Sequence, residues 1–163
     1  MAEPNTAAPI PGLRQATMAD VDRVTDLQRR AYKPMTAISG ADPLPLRADY
    51  NEIMAEAETW LVETPAGDLV AALILQRDER SLLVWSVSVD PDRQSDGLGR
   101  RLLALAEDRA RAQGIDLMRL YTNAMFTRNR EIYRRFGYVE VRQERYGTAE
   151  PPWIIVHMEK PLS

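Results

Sequence analysis

From Leu13 onward, the spacing of apolar and polar residues divides the chain into elements of clear type. Leu13–Ala16 is a short strand candidate. Thr17 stands where a helix N-cap belongs, and Asp20 three residues later supplies the acid of a capping box. Val21, Val24, Leu27 and Ala31 then recur at helical spacing, which predicts a helix to about Tyr32. Lys33–Arg47 carries Pro34, Pro43 and Pro45 and reads as a loop or broken turn. A helix resumes over Ala48–Ala57. Thr59–Glu63, Leu69–Gln76 and Leu82–Val89 read as an antiparallel meander, turning at Pro65–Asp68 and Arg77–Ser81. Leu98–Gln113 is the strongest helix, with Leu98, Leu102, Leu105, Ala106 and Ala110 on one face and Gly114 as its C-cap. Leu117–Thr122 reads as a strand, Thr127–Phe136 as a short helix, and Tyr138–Tyr146 and Trp153–Lys160 as closing strands. This order predicts an α+β fold, one mixed and mostly antiparallel central sheet with helices on both faces.

Composition narrows the chemistry. The 163 residues suit one domain over 13–163, with residues 1–12 as a loose tail. That tail lacks the basic start and apolar block of a secretory signal, and no stretch is long and apolar enough to span a membrane. The expectation is a cytoplasmic protein without a membrane partner. The absence of cysteine excludes disulfides, a thiol nucleophile and thiolate zinc sites, and one histidine, His157, excludes a His-rich metal cluster. No metal is expected. A net charge of −3 argues against a nucleic-acid partner. Arg nevertheless crowds positions 93–101 and 128–135, and its planar fork suits a phosphate.

The segment Val87–Leu103 joins a strand, a Gly-containing loop and the first turn of an amphipathic helix. Gly97 and Gly99 let the backbone turn tightly and approach a ligand with no Cβ in the way. Free N–H groups and the helix dipole at that start favour an anion, and Arg93, Arg100 or Arg101 can add charge. Each such charged hydrogen bond contributes about 1.5–3 kcal/mol. The alternative is a plain structural turn. A Rossmann site fits poorly, since it wants a third glycine where Leu102 stands and a parallel βαβ unit. No GxxxxGK exists, which excludes a P-loop.

Gln94-Ser95-Asp96-Gly97-Leu98-Gly99 resembles the Q/R-x-x-G-x-G/A motif of the GNAT superfamily of acyl-CoA-dependent N-acyltransferases. Tyr121-Thr122-Asn123, followed by Asn129 through Tyr133 to Gly137-Tyr138, resembles a second hallmark of that family, the end of its last helix. The element order matches from Leu13 to Lys160. The resemblance implies an acetyl-CoA site in a wedge between the strand ending at Val89 and the strand Leu117–Thr122. It places pantetheine along Val87, Ser88 and Val89, and pyrophosphate on the loop amides from Gln94 through Ser95, Asp96, Gly97, Leu98 and Gly99 to Arg100. Asn129 matches the asparagine that contacts pantetheine in the family, and a homodimer is implied as well.

The partner implied is an amine acceptor, with a small molecule favoured over a peptide or protein. A non-catalytic acyl-CoA-binding module is the rival reading. Tyr133 has a task in such a reaction, because a neutral phenol can protonate the departing thiolate; the alternative is a core tyrosine. Tyr32, Trp85 and Asn123 are candidates for the acceptor pocket, as is Trp60. The strand Leu82–Val89 offers Ser86 and Ser88 but no carboxylate, so the base is unassigned among Asp42, Asp49 and Glu52. His157 reads as a packed strand histidine. Arg128, Arg130, Arg134 and Arg135 read as a solvated helix face, and Tyr146–Pro152 as a connection that could reach over the site.

Overall fold

Leu69–Leu75 is buried at every position, which fits a strand covered on both faces. It lies in the interior of the sheet, third of seven strands. The computed structural model describes residues 9–148, Glu150 and 152–163, with the Ser95 side chain left aside. Among these, seven strands form one sheet: β1 (Leu13–Gln15), β2 (Glu58–Glu63), β3 (Leu69–Arg77), β4 (Leu82–Val89), β5 (Leu117–Asn123), β6 (Val139–Tyr146) and β7 (Trp153–Pro161). Their spatial order is β1-β2-β3-β4-β5-β7-β6. Every pairing is antiparallel except β4 with β5. The helices are α1 (Val21–Ser39), α2 (Leu44–Arg47), α3 (Tyr50–Glu56), α4 (Leu98–Ala112) and α5 (Thr127–Arg135). The α+β architecture is thus the expected one.

β3 divides its side chains between two cores. Ala71, Leu73 and Leu75 meet Leu102, Leu103, Ala106 and Ala110 of α4, while Ala72 and Ile74 meet Val24 and Leu27 of α1 and Tyr50 and Met54 of α3. The capping box forms as expected, although it opens a single 3-10 turn, Met18–Asp20, that continues into α1. Asp20 accepts from the Thr17 amide at 2.9 Å and from Arg14 at 2.7 and 2.9 Å. Chiefly because of the Arg14 hydrogen bonds, its carboxyl is pulled down to about 2.

Two expectations are corrected. The first helix does not stop near Tyr32 but runs through Pro34 to Ser39. Proline there removes the hydrogen bond to the Arg30 carbonyl. Both residues are exposed, so water can serve that carbonyl. Tertiary contacts hold the end: Gly40, left-handed at φ +81°, donates to the Thr36 carbonyl, and the Trp153 indole donates to the Ser39 carbonyl at 3.1 Å. Nor does the loose tail extend to residue 12. Ile10 is buried, and the Gly12 carbonyl accepts from the Glu63 amide at 3.0 Å. A Cβ on Gly12 would lie 1.9 Å from the Glu63 carbonyl oxygen, so only glycine fits. The rest of that segment, residues 1–8, lies outside the described residues.

Candidate active site

β4 and β5 pair at only two positions, Leu82 with Met118 and Leu83 with Arg119. Beyond them the strands separate into a wedge. A bulge in β4 accompanies the opening: Ile74 faces Ser86 and Leu75 faces Val84, leaving Trp85 as the extra residue. Side-chain alternation changes phase there. Leu82 and Val84 pack on the α4 side, Trp85 on the α1 side, and Val87 and Val89 again on the α4 side.

The wedge holds a cavity of about 280 Å³. Its walls are Val84–Val87 of β4, Leu120–Asn123 of β5, Asn129 and Tyr133 of α5, and Tyr32 of α1. Pro43, Leu44, Pro45 and Arg47 border it, as do Glu144, Tyr146, Trp153, Ile155 and His157 from the last hairpin. Tyr32, Trp85, Asn123, Asn129 and Tyr133 are therefore brought together around one cavity.

A polar chain fixes the β4 wall. Fully buried Gln28 donates through Nε2 to Tyr50 at 3.0 Å and to Ser86 at 2.9 Å, and Tyr50 donates to the Pro45 carbonyl at 2.6 Å. The Tyr32 hydroxyl lies 3.0 Å from Ser86 Oγ and 3.4 Å from the Val87 carbonyl oxygen. The Ser88 hydroxyl is buried with no hydrogen-bond partner among the described residues. Tyr133 is half-buried, its ring edge-on to Tyr138 at 6.2 Å. Burial, with Tyr32 nearby, raises its phenol above the usual tyrosine range, so it is a neutral donor at ordinary pH. Asn123 is committed to the turn after β5, its side chain accepting from the Met125 amide at 2.9 Å. The Asn129 amide reaches only the Met35 sulfur, at 3.9 Å.

The loop after β4 is a 3-10 turn, Pro91–Asp96, that ends at Gly97 with φ +74°. α4 then starts with no side-chain cap and no acid in its first turn. Its first intrahelical amide is that of Arg101, donating to the Gly97 carbonyl, which leaves the earlier N–H groups free. Arg93, Arg100 and Arg101 are exposed and, among the described residues, have no acidic partner within 4 Å. Gln94 makes one long contact, 3.5 Å, to the Val89 carbonyl. Gly99 has an ordinary helical backbone, and a Cβ there would only touch Val89 at 4.0 Å. Glycine in a helix costs about 1 kcal/mol relative to alanine. Nothing in the fold requires it here, whereas a ligand lying against the backbone would. This donor set fits the phosphates of a coenzyme A thioester.

The base candidates do not converge on the wedge. Asp42 accepts from Thr36 at 2.7 Å, Asp49 caps α3, and Glu52 is exposed. Part of the solvated arginine face is also corrected: Arg130 and Arg134 both bond Glu140 and tie α5 to β6. Glu144 and Trp153 border the cavity without having been singled out as site residues, while Tyr121 and Tyr146, which also border it, were read only as part of a motif and of a connection over the site. For Glu144 and Trp153 the signal was the two-residue periodicity of the last two strands, which puts Trp153, Ile155 and His157 on one face. Among the described residues there is no cluster of three or more metal-ligating side chains, and no helix is long and apolar enough to cross a membrane.

A sheet split between two parallel strands, with an uncapped helix start at the mouth, is the architecture of an acyl-CoA-dependent acyltransferase. The chain belongs to the GNAT acetyltransferase family: the model of the acetyltransferase (GNAT) domain matches residues 55–140. The mycothiol acetyltransferase of Beutenbergia cavernae is 36% identical over 91 residues, 54% of this chain and 31% of that protein. The chain thus matches less than a third of that relative's length. Among solved structures, the ribosomal-protein-S18-alanine N-acetyltransferase of Escherichia coli superposes with a TM-score of 0.74 at 21% identity, covering 93% of each chain. Nourseothricin acetyltransferase gives 0.71 at 21% identity, with 93% and 98% covered. A GNAT family acetyltransferase from Elizabethkingia anophelis with acetyl-CoA bound gives 0.68 at 14% identity, with 92% and 97% covered. At these identities the structures share the fold.

Proposed function

We propose that this chain is an N-acetyltransferase that moves an acetyl group from acetyl-CoA to the primary amine of a small acceptor. One observation carries the reading: β4 lacks a strand partner on its β5 side beyond Leu83 and leads, through the single turn Pro91–Asp96, into the uncapped, Arg-flanked start of α4. Backbone polar groups removed from water require partners, and the amides of a pantetheine arm supply them along Val87, Ser88 and Val89. The free amides from Gly97 to Arg100 take the pyrophosphate, and Asn129 borders the pantetheine end. Bound acetyl-CoA supplies a thioester carbon open to attack by an amine. Tyr133 supplies the proton that the departing thiolate needs, and its raised pKa keeps that proton available.

Two features favour a small acceptor over a peptide. The Pro43–Arg47 segment borders the cavity, and the Trp153–Ser39 hydrogen bond ties the last hairpin to the end of α1 beside it. A peptide acceptor requires an open groove there.

Calorimetric titration with acetyl-CoA, with NAD as control, tests the reading. Stoichiometric micromolar binding of acetyl-CoA alone, followed by amine-dependent thiol release, is the expected result. Binding without thiol release would indicate the non-catalytic module. Gly97→Val places a branched side chain on a left-handed backbone in the phosphate path, and should weaken acetyl-CoA at least tenfold. Unchanged affinity would remove the loop from the site.

A further inference from the structure

An alkylamine with a pKa near 10.4 is neutral in fewer than roughly one molecule in a thousand at pH 7. The acceptor therefore has to give up a proton inside the cavity, where β4 offers no carboxylate. One titratable pair does face that space, His157 of β7 and Glu144 of β6. The His157 side chain is 13% exposed and its Nε2 lies 2.5 Å from Glu144 Oε1. Arg142 contacts both members, with Nη2 at 3.3 Å from the same ring nitrogen and Nη1 at 3.4 Å from Glu144 Oε2. Nε2 cannot donate to Glu144 and accept from Arg142 at once. The shorter bond involves the carboxylate, so Nε2 carries the hydrogen and Nδ1 keeps a lone pair.

Glu159, two residues further along β7, pairs with Arg119 at 3.9 Å, and two tyrosines stand near the ring. Tyr121 of β5 lies with its ring centroid 5.8 Å away, and Tyr146 of β6 borders the same cavity. Hydrogen bonding from His157, followed by Arg142, keeps the Glu144 carboxyl below its ordinary range. Glu144 thus stays charged beside the ring, the arrangement in which a carboxylate fixes a tautomer and stabilises an imidazolium.

We propose, building on the acetyl-transfer reading, that His157 is the general base of the reaction and Glu144 its positioning residue. Nδ1 takes one proton from the acceptor ammonium. The neutral amine attacks the thioester carbon, the C–N bond forms and the C–S bond breaks. Tyr133 protonates the departing thiolate and regains its proton from the new amide nitrogen. The proton on His157 leaves to solvent, so one proton is released per turnover. The acceptor class that follows is a primary alkylamine, protonated in solution, on a body that suits walls of Trp85, Tyr121, Tyr146 and Trp153.

The chain has a single histidine, so nitrogen-15 NMR reads His157 without ambiguity. The neutral ring should show the Nε2–H tautomer in the wild type, and Glu144→Gln should redistribute it. A predominant Nδ1–H form overturns the proposal. Kinetics with two probes supply the second test: 2-phenylethylamine, protonated at pH 7, and hydroxylamine, already neutral there. His157→Gln should lose roughly 100-fold in kcat with phenylethylamine, at least tenfold more than with hydroxylamine. Its rate with phenylethylamine should recover as pH rises toward the pKa of the amine. Equal losses with both amines, in an enzyme that still turns over, overturn the base and leave acetyl transfer standing. A wild type that binds acetyl-CoA yet releases thiol with neither amine overturns both.

Discussion

β3 and β6 are opposites within one sheet. All residues of β3 from Leu69 to Leu75 are buried, whereas none of the eight residues of β6 is. β3 is held by apolar side chains on two faces. β6 is held by its ladder with β7 and by Glu140, which accepts from Arg130 at 2.8 Å and Arg134 at 2.7 Å. The difference separates two tasks. Hydrophobic burial at the sheet centre supplies the stability, and a polar, exposed hairpin at its edge borders the cavity with Glu144 and Tyr146.

The largest effect that would break this comparison lies in β3. Leu73→Ala removes a fully buried side chain and should cost about 3 kcal/mol in urea unfolding, whereas Val141→Ala on half-exposed β6 should stay within about 0.5 kcal/mol. Similar losses at both would show that the hairpin carries the fold after all. Tyr133→Phe should do the reverse, lowering kcat by roughly 100-fold while leaving the unfolding midpoint and acetyl-CoA affinity in place. Full activity across the pH range would return Tyr133 to the core.

The smallest effect sharpens the comparison at the extremes of pH. The Asp20 carboxyl ionises near pH 2 in the fold and about 3.9 when unfolded, so its contribution is complete above the second value and fades as pH falls to the first. Asp20→Asn should therefore lower stability by about 1 kcal/mol at pH 7 and flatten the loss between pH 4 and 2. At the alkaline end, Tyr32, Tyr50, Tyr133 and Tyr138 are all pushed up by burial. The unfolded chain loses those protons first, so stability should fall as pH climbs past 10, measured by thermal unfolding.

Much of the fold was legible because its signals are local. Thr17 and Asp20 lie within one turn of each other, and the apolar runs of β3 and α4 need no distant partner to be read. Pro34 misled because its cost depends on where it points, and the exposed face of α1 tolerates it. At the site, the Gly97–Arg100 loop and Tyr133 were visible as motif residues. The bulge at Trp85 was not, since a strand with one extra residue has the same composition as one without. Nor was the Glu144–His157 contact, which depends on the β6–β7 register and its irregularity between Glu140 and Arg142. Register is a property of two strands together, and neither segment states it alone.

That extra residue in β4 also behaves like a frameshift written in space. It brings Val87 and Val89, at odd positions, onto the α4 side that Leu82 and Val84 occupy at even ones; plain alternation from Val84 without an extra residue would turn Val87 and Val89 toward α1. The orientation of the strand that borders the wedge is thus set by a count of residues. Deleting Trp85 alone would remove the bulge and keep Val87 and Val89 on the α4 side, because Ser86 would take the alternating position between Val84 and Val87.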